Sequence, residues 1–497
     1  MKLLHIFLFS LPLSLWSQSI DVDSLDRYIS KLVSPKEYNM PGLAIGVIHN
    51  DTVIFKKGYG TTRNGNGLPI HTETIFPILS CTKAFTATCI GILVDEGRLD
   101  WNDKVVAYLP DFKLSDPWIT NEITISDLLS HRSGLGEFDG DSLWYSTDFS
   151  SDEIIEKIQY YPVRGSFRLD FNYNNVMYIV AGKIIEKVTG LTWNEFLKTK
   201  IFDVLDMKNS SSTLSELTKN PEYAHPHIAD KPIEPRSIDN AAPAGGINST
   251  IDDMLLWLQM YLNKGALPKK KIISQKTFET ITNPKMILDD RGQQSYGFGW
   301  YIDYEDGQKS LYHGGGMPGY KSMVALYPEH NIGIVVLTNK ISMINEGLVN
   351  MISTYIKHPE LTDWSNNRKY FTYFGYSWDN PKKMNRKSSA VKGFLKYTGL
   401  YEDKVYGKAS ISIQEGIPTL KLLPNKELFS GTLYYASDER FKVKLRDEFL
   451  PIGDIVFEIN EEGAIKGFRM EIPTGDFHFD NLHFSKIPID SGNMGEN

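Results

Sequence analysis

Pro77-Ile78-Leu79-Ser80-Cys81-Thr82-Lys83, with apolar positions following at Phe85, Cys89, Ile92 and Leu93 and a glycine at Gly97, is the stretch from which the rest of the chain is read. The spacing predicts a helix over Thr82 to Leu99 that stops near the glycine. Ser80 and Lys83, three residues apart, then share one face of the helix start. A serine hydroxyl is a weak nucleophile that needs a base, and a lysine becomes one when burial or nearby cations favour its neutral form. The helix N-terminus adds partial positive charge and free N–H groups where an oxyanion would develop. The same spacing recurs at Ser389-Ala390-Val391-Lys392. That copy lies in a polar, Lys- and Ser-rich segment with nothing to bury the amine, and it reads as solvated linker.

Before this stretch, residues 42–60 alternate through Leu43, Ile45 and Val47, turn at His49-Asn50-Asp51 and return through Val53 and Phe55, which predicts a hairpin. After it, helices are expected at 123–130, 151–159, 176–188, 193–199, 250–263 and 341–356, and strands at 296–303, 308–313, 320–327 and 332–338. Strands at both ends of a helical stretch imply one antiparallel sheet closed by N- and C-terminal pieces, with helices packed on it. Trp364 to Asn385 shows no clean period and reads, within 361–393, as a linker wrapping back on the first domain. From Tyr397 onward short alternating runs dominate, and a small β-barrel or sandwich is expected over 394–488. The fold class is therefore α+β followed by a small all-β domain.

Two further signals carry chemistry. Phe171-Asn172-Tyr173-Asn174-Asn175 precedes the amphipathic run Met177 to Val188. A tyrosine can relay a proton to a leaving group if a nearby lysine lowers its pKa, and an Asn amide can hold a substrate carbonyl. Taken alone, the segment reads more readily as a core-packed loop tyrosine with Asn residues capping the next helix. His313-Gly314-Gly315-Gly316 lies between two strand-like runs, where glycines allow close backbone approach and offer N–H groups for an oxyanion; a flexible hairpin loop is the alternative.

In that order, Ser-x-x-Lys, Tyr-x-Asn and His-x-Gly resemble the three active-site motifs of class C β-lactamases, DD-peptidases and their esterase relatives. Ile125-Ser126-Asp127-Leu128-Leu129-Ser130-His131-Arg132-Ser133-Gly134-Leu135, Pro243-Ala244-Gly245-Gly246, Tyr296-Gly297-Phe298-Gly299-Trp300 and Tyr327-Pro328-Glu329 add matches across residues 25 to 355. The resemblance implies a β-lactamase/transpeptidase-like domain over 20–360, in which a helical subdomain stands beside a sheet flanked by helices and the site lies between. It implies that Ser80 is acylated, Lys83 helps remove its proton and Tyr173 shuttles a proton to the leaving group. Asn175, His313, Gly315 and Gly316 would bind substrate, with the N–H groups of Ser80 and Gly316 as the oxyanion hole. No metal or organic cofactor is implied.

Many penicillin-recognising members carry Lys where this chain has His313, and a histidine is mostly neutral near pH 7. Weaker carboxylate binding is expected, which favours an ester or a D-amino-acid-containing peptide or amide over a β-lactam. A β-lactamase or DD-carboxypeptidase, and a non-hydrolytic envelope sensor, stand as alternatives. The oxyanion loop of a lipase-like α/β-hydrolase is a further reading of His313-Gly314-Gly315-Gly316, but such a fold needs a Gly-x-Ser-x-Gly elbow, which the chain lacks. The segment from Tyr397-Thr398-Gly399-Leu400-Tyr401 resembles the β-rich domain appended to some of these hydrolases. Shaping substrate access or mediating homo-oligomerisation is its expected role, with merely burying sheet surface on the first domain as the alternative.

Composition bounds the rest. The 497 residues are 41% hydrophobic with a net charge of -8 and no charged block, so nucleic acid is not an expected partner. Lys2 and the apolar run Leu3 to Trp16 read as a signal peptide over 1–17, shorter than the roughly 20 residues that span a bilayer. A secreted or periplasmic protein without a transmembrane anchor is expected, acting on a small-molecule ester, a β-lactam or a short peptide. The two cysteines, Cys81 and Cys89, are about 12 Å apart along one helix, too far for a disulfide. The eleven His show no zinc spacing.

Overall fold

The computed structural model describes residues 21–358, 361 and 393–488; the expected signal peptide and nearly all of the expected linker, including Ser389-Lys392, lie outside the described residues. The first domain is built on eight antiparallel strands: β1 (Gly42–His49), β2 (Thr52–Gly60), β3 (Met286–Ile287), β4 (Gln294–Tyr296), β5 (Tyr301–Glu305), β6 (Gln308–Met317), β7 (Tyr320–Tyr327) and β8 (Ile332–Thr338). Their order is β2-β1-β8-β7-β6-β5-β4-β3, so the N-terminal hairpin closes onto the last strand as expected.

The alternation in β1 proves to be half of a fully buried strand. Leu43, Ile45 and Val47 face α1 (Val22–Leu32) and the C-terminal helix Ile344–Lys357, in a cluster with Leu25, Ile29, Leu348 and Ile352. On the other face a side chain at Gly46 would strike Ile251 and Leu255 of the helix Ile251–Leu262, so glycine there lets helix and sheet approach. Both faces of the sheet are covered, which explains an apolar run where a one-sided strand would alternate.

The helix α2 (Thr82–Asp95) runs through the core rather than along its surface. Every residue from Thr82 to Leu93 is buried, which the apolar spacing alone understates. Its polar positions are satisfied locally: Thr86 Oγ1 donates to Pro243 O at 2.6 Å and Thr88 Oγ1 to Ala84 O at 2.8 Å. The helical subdomain packs beside it, centred on α3 (Asn175–Thr189), which Asn174 caps by accepting from Met177 N and Gly190 ends at φ 75°. Among the described residues no helix is long and apolar enough to cross a membrane.

The C-terminal domain is a closed eight-stranded barrel, β9 (Gly399–Asp403), β10 (Gly407–Gln414), β11 (Ile417–Leu422), β12 (Ser430–Ser437), β13 (Arg440–Leu445), β14 (Gly453–Ile459), β15 (Ile465–Glu471) and β16 (His483–Lys486). Pairing of β9 with β16 completes the closure and leaves no open edge. Aromatic rings fill the interior; Phe468 stacks on Phe484 with centroids 4.7 Å apart. The barrel docks on the helical subdomain. Tyr145 stacks on Phe477 at 3.9 Å and donates to the buried Asp447 at 2.9 Å, and Asp148 N donates to Pro424 O at 3.0 Å.

Candidate active site

Ser80 sits in a single 3-10 turn, Leu79–Cys81, that feeds directly into α2. Leu79, buried and with φ 53°, is a non-glycine residue in the left-handed region, which costs about 1–3 kcal/mol and is held by the surrounding contacts. β6 lies against this turn. A side chain at Gly315 would meet Leu79 Cβ at 2.6 Å and Ile78 O at 2.8 Å, so only glycine allows the approach. The ladder between β5 and β6 ends at the pair Tyr301 and Tyr312, leaving Gly314 to Gly316 without a β5 partner on the edge toward Ser80.

Lys83 is fully buried, and its Nζ reaches three oxygens: Asn175 Oδ1 at 2.7 Å, Ala244 O at 2.9 Å and Ser80 Oγ at 3.2 Å. Burial lowers its pKa to about 7, with the nearby Asp141 carboxylate acting in the opposite direction. Tyr173 lies alongside. Its phenol is hydrogen-bonded to the Ser80 side chain, and its ring centroid is 4.7 Å from Lys83 Nζ. Burial drives the phenol well above its ordinary value, more than the Ser80 hydrogen bond draws it down. The condition that a lysine lowers the tyrosine pKa is therefore not met; the phenol is held neutral and the amine is the group poised near neutrality. In the Tyr-Asn segment both expected roles coexist, because Asn174 caps α3 while Tyr173 and Asn175 turn to the serine.

Of the residues expected to contact substrate, His313 and Gly315 stand off the cavity lining. His313 is 1% exposed and stands behind the cavity wall. Its Nδ1 lies 2.7 Å from Gly314 O, which can only accept, so Nδ1 carries the proton and Nε2 accepts from Tyr296 OH at 3.2 Å. Burial, with the charge of Lys83, pushes its pKa down to about 3. The ring is thus neutral, as the sequence suggests, and it lies off the cavity lining, against Tyr296 and Gly314. Gly315 likewise packs on the serine turn, and of the three consecutive glycines after His313 it is Gly316 that lines the cavity.

A cavity of 230 Å³ opens at Ser80, with Tyr173, Asn175, Asp141, Trp144, Lys321 and Asp476 as its other hydrogen-bonding or charged side chains. Asp141 carries no motif in the sequence. It is buried, accepts from Asn175 Nδ2 at 2.7 Å and from Trp144 Nε1 at 2.8 Å, and burial raises its pKa to about 8. Asp476, Phe477 and Phe449 come from the barrel, a contribution that no local signal in the sequence marks. Chemically the arrangement offers a nucleophile, an amine able to take its proton, a neutral phenol beside both and a mostly apolar chamber closed by a second domain.

Residues 25–346 match the family model described as Beta-lactamase, and residues 384–486 match a domain of unknown function, DUF3471. Unguisins hydrolase ungD' of Aspergillus campestris is 27% identical over 345 residues, 64% of this chain and 62% of that protein. Protein flp of Staphylococcus aureus is 25% identical over 322 residues, 64% of this chain and 63% of that protein. Penicillin-binding protein 4* of Bacillus subtilis is 26% identical over 312 residues, 58% of this chain and 66% of that protein. The chain thus spans less than two thirds of the length of each of these curated relatives. Among solved structures, the octameric penicillin-binding protein homologue from Pyrococcus abyssi has the same fold, with a TM-score of 0.59 at 22% identity, covering 94% of this chain and 100% of that one.

Proposed function

Because this chain belongs to the beta-lactamase family, we propose that it is a serine hydrolase that forms an acyl-enzyme on Ser80 and cleaves an ester or a D-amino-acid-containing peptide or amide bond. The observation that carries this reading is the wiring of Lys83. A neutral amine has two N–H bonds and one lone pair. Asn175 Oδ1 and Ala244 O are both obligate acceptors and take the two N–H bonds, so the lone pair is left for the Ser80 hydroxyl at 3.2 Å.

The chemistry follows from that assignment. Ser80 Oγ attacks the acyl carbonyl as its proton passes to Lys83, and the oxyanion is met by the backbone N–H groups of Ser80 and Gly316. The neutral Tyr173 phenol gives its proton to the leaving group and recovers one from the Lys83 ammonium. Water then enters by the reverse sequence and releases the acyl group. The neutral, recessed His313 supplies no cation for a substrate carboxylate, and Lys321 on the cavity is already paired with Glu346 at 2.9 Å, which favours the ester or amide over a β-lactam.

A fluorophosphonate probe is expected to label the wild-type protein at Ser80 and to leave Ser80→Ala unlabelled; equal labelling of that variant overturns the assignment. Sustained turnover on a panel of chromogenic esters, D-amino-acid amides and a cephalosporin separates a hydrolase from a protein that acylates once, and a single burst without turnover supports the latter.

A further inference from the structure

The barrel does more than lean on the hydrolase domain. Phe449, between β13 and β14, and Asp476 with Phe477, between β15 and β16, form part of the wall of the cavity that holds Ser80. Both loops are fixed in place. Phe477 is buried, stacks on Tyr145 at 3.9 Å and meets Trp144 edge-on at 5.9 Å, and Trp144 in turn donates to Asp141. Phe449 N donates to Asp447 Oδ1 at 2.9 Å, and the other oxygen of that buried carboxylate accepts from Tyr145 OH at 2.9 Å.

Within this wall Asp476 is the anomaly. It is half-buried beside Phe449 and Phe477 on a wall it shares with Asp141 and Lys321, burial raises its pKa against the charges of His478 and Lys321, and its carboxylate has no hydrogen-bond donor among the described residues. Both neighbours have other partners: Lys321 Nζ lies 2.9 Å from Glu346, and His478 Nδ1 lies 4.0 Å from Asp480. Placing a carboxylate among rings without a donor is unfavourable unless something else brings the cation. Aromatic faces beside the carboxylate suit the same guest, since a cation is attracted to both.

We propose that Asp476 is a specificity-determining residue through which the barrel selects substrates carrying an ammonium group next to an apolar moiety. The cation is held by the Asp476 carboxylate, and the apolar part rests on Phe449, Phe477 and Trp144. The proposal rests on the serine hydrolase reading and deepens it: the DUF3471 domain supplies part of the substrate site, and a substrate with a carboxylate at this point is repelled.

The test uses the full chain and a matched set of phenylalanine p-nitroanilides, in both enantiomers, with the amine free, acetylated or succinylated. The free amine should have the highest kcat/KM in the wild type. The ratio of free to acetylated substrate should fall roughly tenfold or more in Asp476→Asn, and Asp476→Lys should turn the preference toward the succinyl compound. A ratio unmoved in both variants overturns the proposal. A second measurement needs no variant: phenethylamine should protect the wild type from fluorophosphonate labelling and raise its melting temperature, whereas 3-phenylpropanoate should do neither. Equal effects of the two compounds overturn the proposal. Absence of any labelling of wild-type Ser80 would instead defeat the acyl-enzyme reading, and the melting temperatures would still decide whether the cavity prefers the cation.

Discussion

Asn175 donates its Nδ2 to Asp141 Oδ2 across 2.7 Å, and its Oδ1 accepts from Lys83 across the same distance. An amide has one donor end and one acceptor end, so the carboxyl that takes the first obliges the second to face the amine. Trp144 Nε1 holds the remaining Asp141 oxygen at 2.8 Å, which leaves the orientation of Asn175 no freedom. On the proposed mechanism Asp141 is thereby a positioning residue for Lys83, two side chains removed from Ser80.

Asp141→Asn keeps the shape but replaces one acceptor with an NH₂ that must confront either Trp144 or Asn175. The Asn175 amide should turn, presenting its own NH₂ to Lys83. Acylation is expected to slow by about ten- to a hundredfold, the scale of a misplaced catalytic group. Burial raises the Asp141 pKa to about 8, so on the acid limb of the kcat/KM profile the carboxyl is mostly uncharged and the limb should stay where Lys83 sets it, with the loss falling on kcat and KM little changed. A loss carried mainly by KM would mean that Asp141 is merely structural.

On the same proposed mechanism Lys83 sets the pH dependence. Its pKa is lowered to about 7 by burial, and the base must be uncharged to accept the Ser80 proton. The neutral fraction grows as pH rises through 7, so kcat/KM should climb to a plateau above it and fall to roughly 1% at pH 5. Lys83→Arg places a permanently charged guanidinium at the position. Acylation should drop by about a thousandfold or more, with no recovery at pH 9, as read from the burst of a chromogenic ester.

The sequence exposes those parts of the site whose chemistry is local. Ser80 and Lys83 are legible because helical spacing brings them together, and Tyr173 and Asn175 because they open a second helix. His313 is legible as a residue type; its neutrality follows from the type, but its retreat behind the wall follows from Tyr296 and Gly314, which spacing does not reveal. Asp141 has no periodic signal, since its role is defined by partners on α3 and at Trp144. The barrel's contribution is least visible, because Tyr145 and Asp447 meet across 302 positions of chain. Strand alternation shows that a barrel or sandwich forms, not where its loops will dock.

Asp447 tests that docking. It is buried, accepts from Tyr145 OH at 2.9 Å and from Phe449 N at 2.9 Å, and lies 3.6 Å from Arg236. Asp447→Ala leaves the guanidinium and the phenol without their acceptor, and breaking such a buried pair costs about 3–5 kcal/mol. Thermal unfolding should separate into two transitions or shift markedly downward. Turnover should suffer mainly through KM, because Phe449 would lose its anchor on the cavity wall while Lys83 and Tyr173 keep theirs. A loss confined to kcat would place the damage elsewhere.

His131 ties the Tyr-Asn segment to the family-like stretch that precedes it. Its Nδ1 accepts from Asn174 N at 3.0 Å, its ring lies 4.3 Å from that of Tyr173, and its Nε2 is buried with no partner among the described residues. Burial and the charge of Lys83 hold its pKa well below the ordinary value, so the folded state keeps it neutral. His131→Phe preserves the ring but strands the Asn174 N–H, a loss of about 1–3 kcal/mol, and should lower kcat by loosening Tyr173. The pH dependence distinguishes this role from simple packing. Below about pH 6.5 the unfolded chain protonates His131 and the folded one does not, so the wild type loses stability as pH falls, while the phenylalanine variant is spared that loss. The stability gap between them, measured by urea unfolding, should therefore narrow from pH 7.5 to pH 5; a constant gap would show that His131 does not stay neutral in the fold.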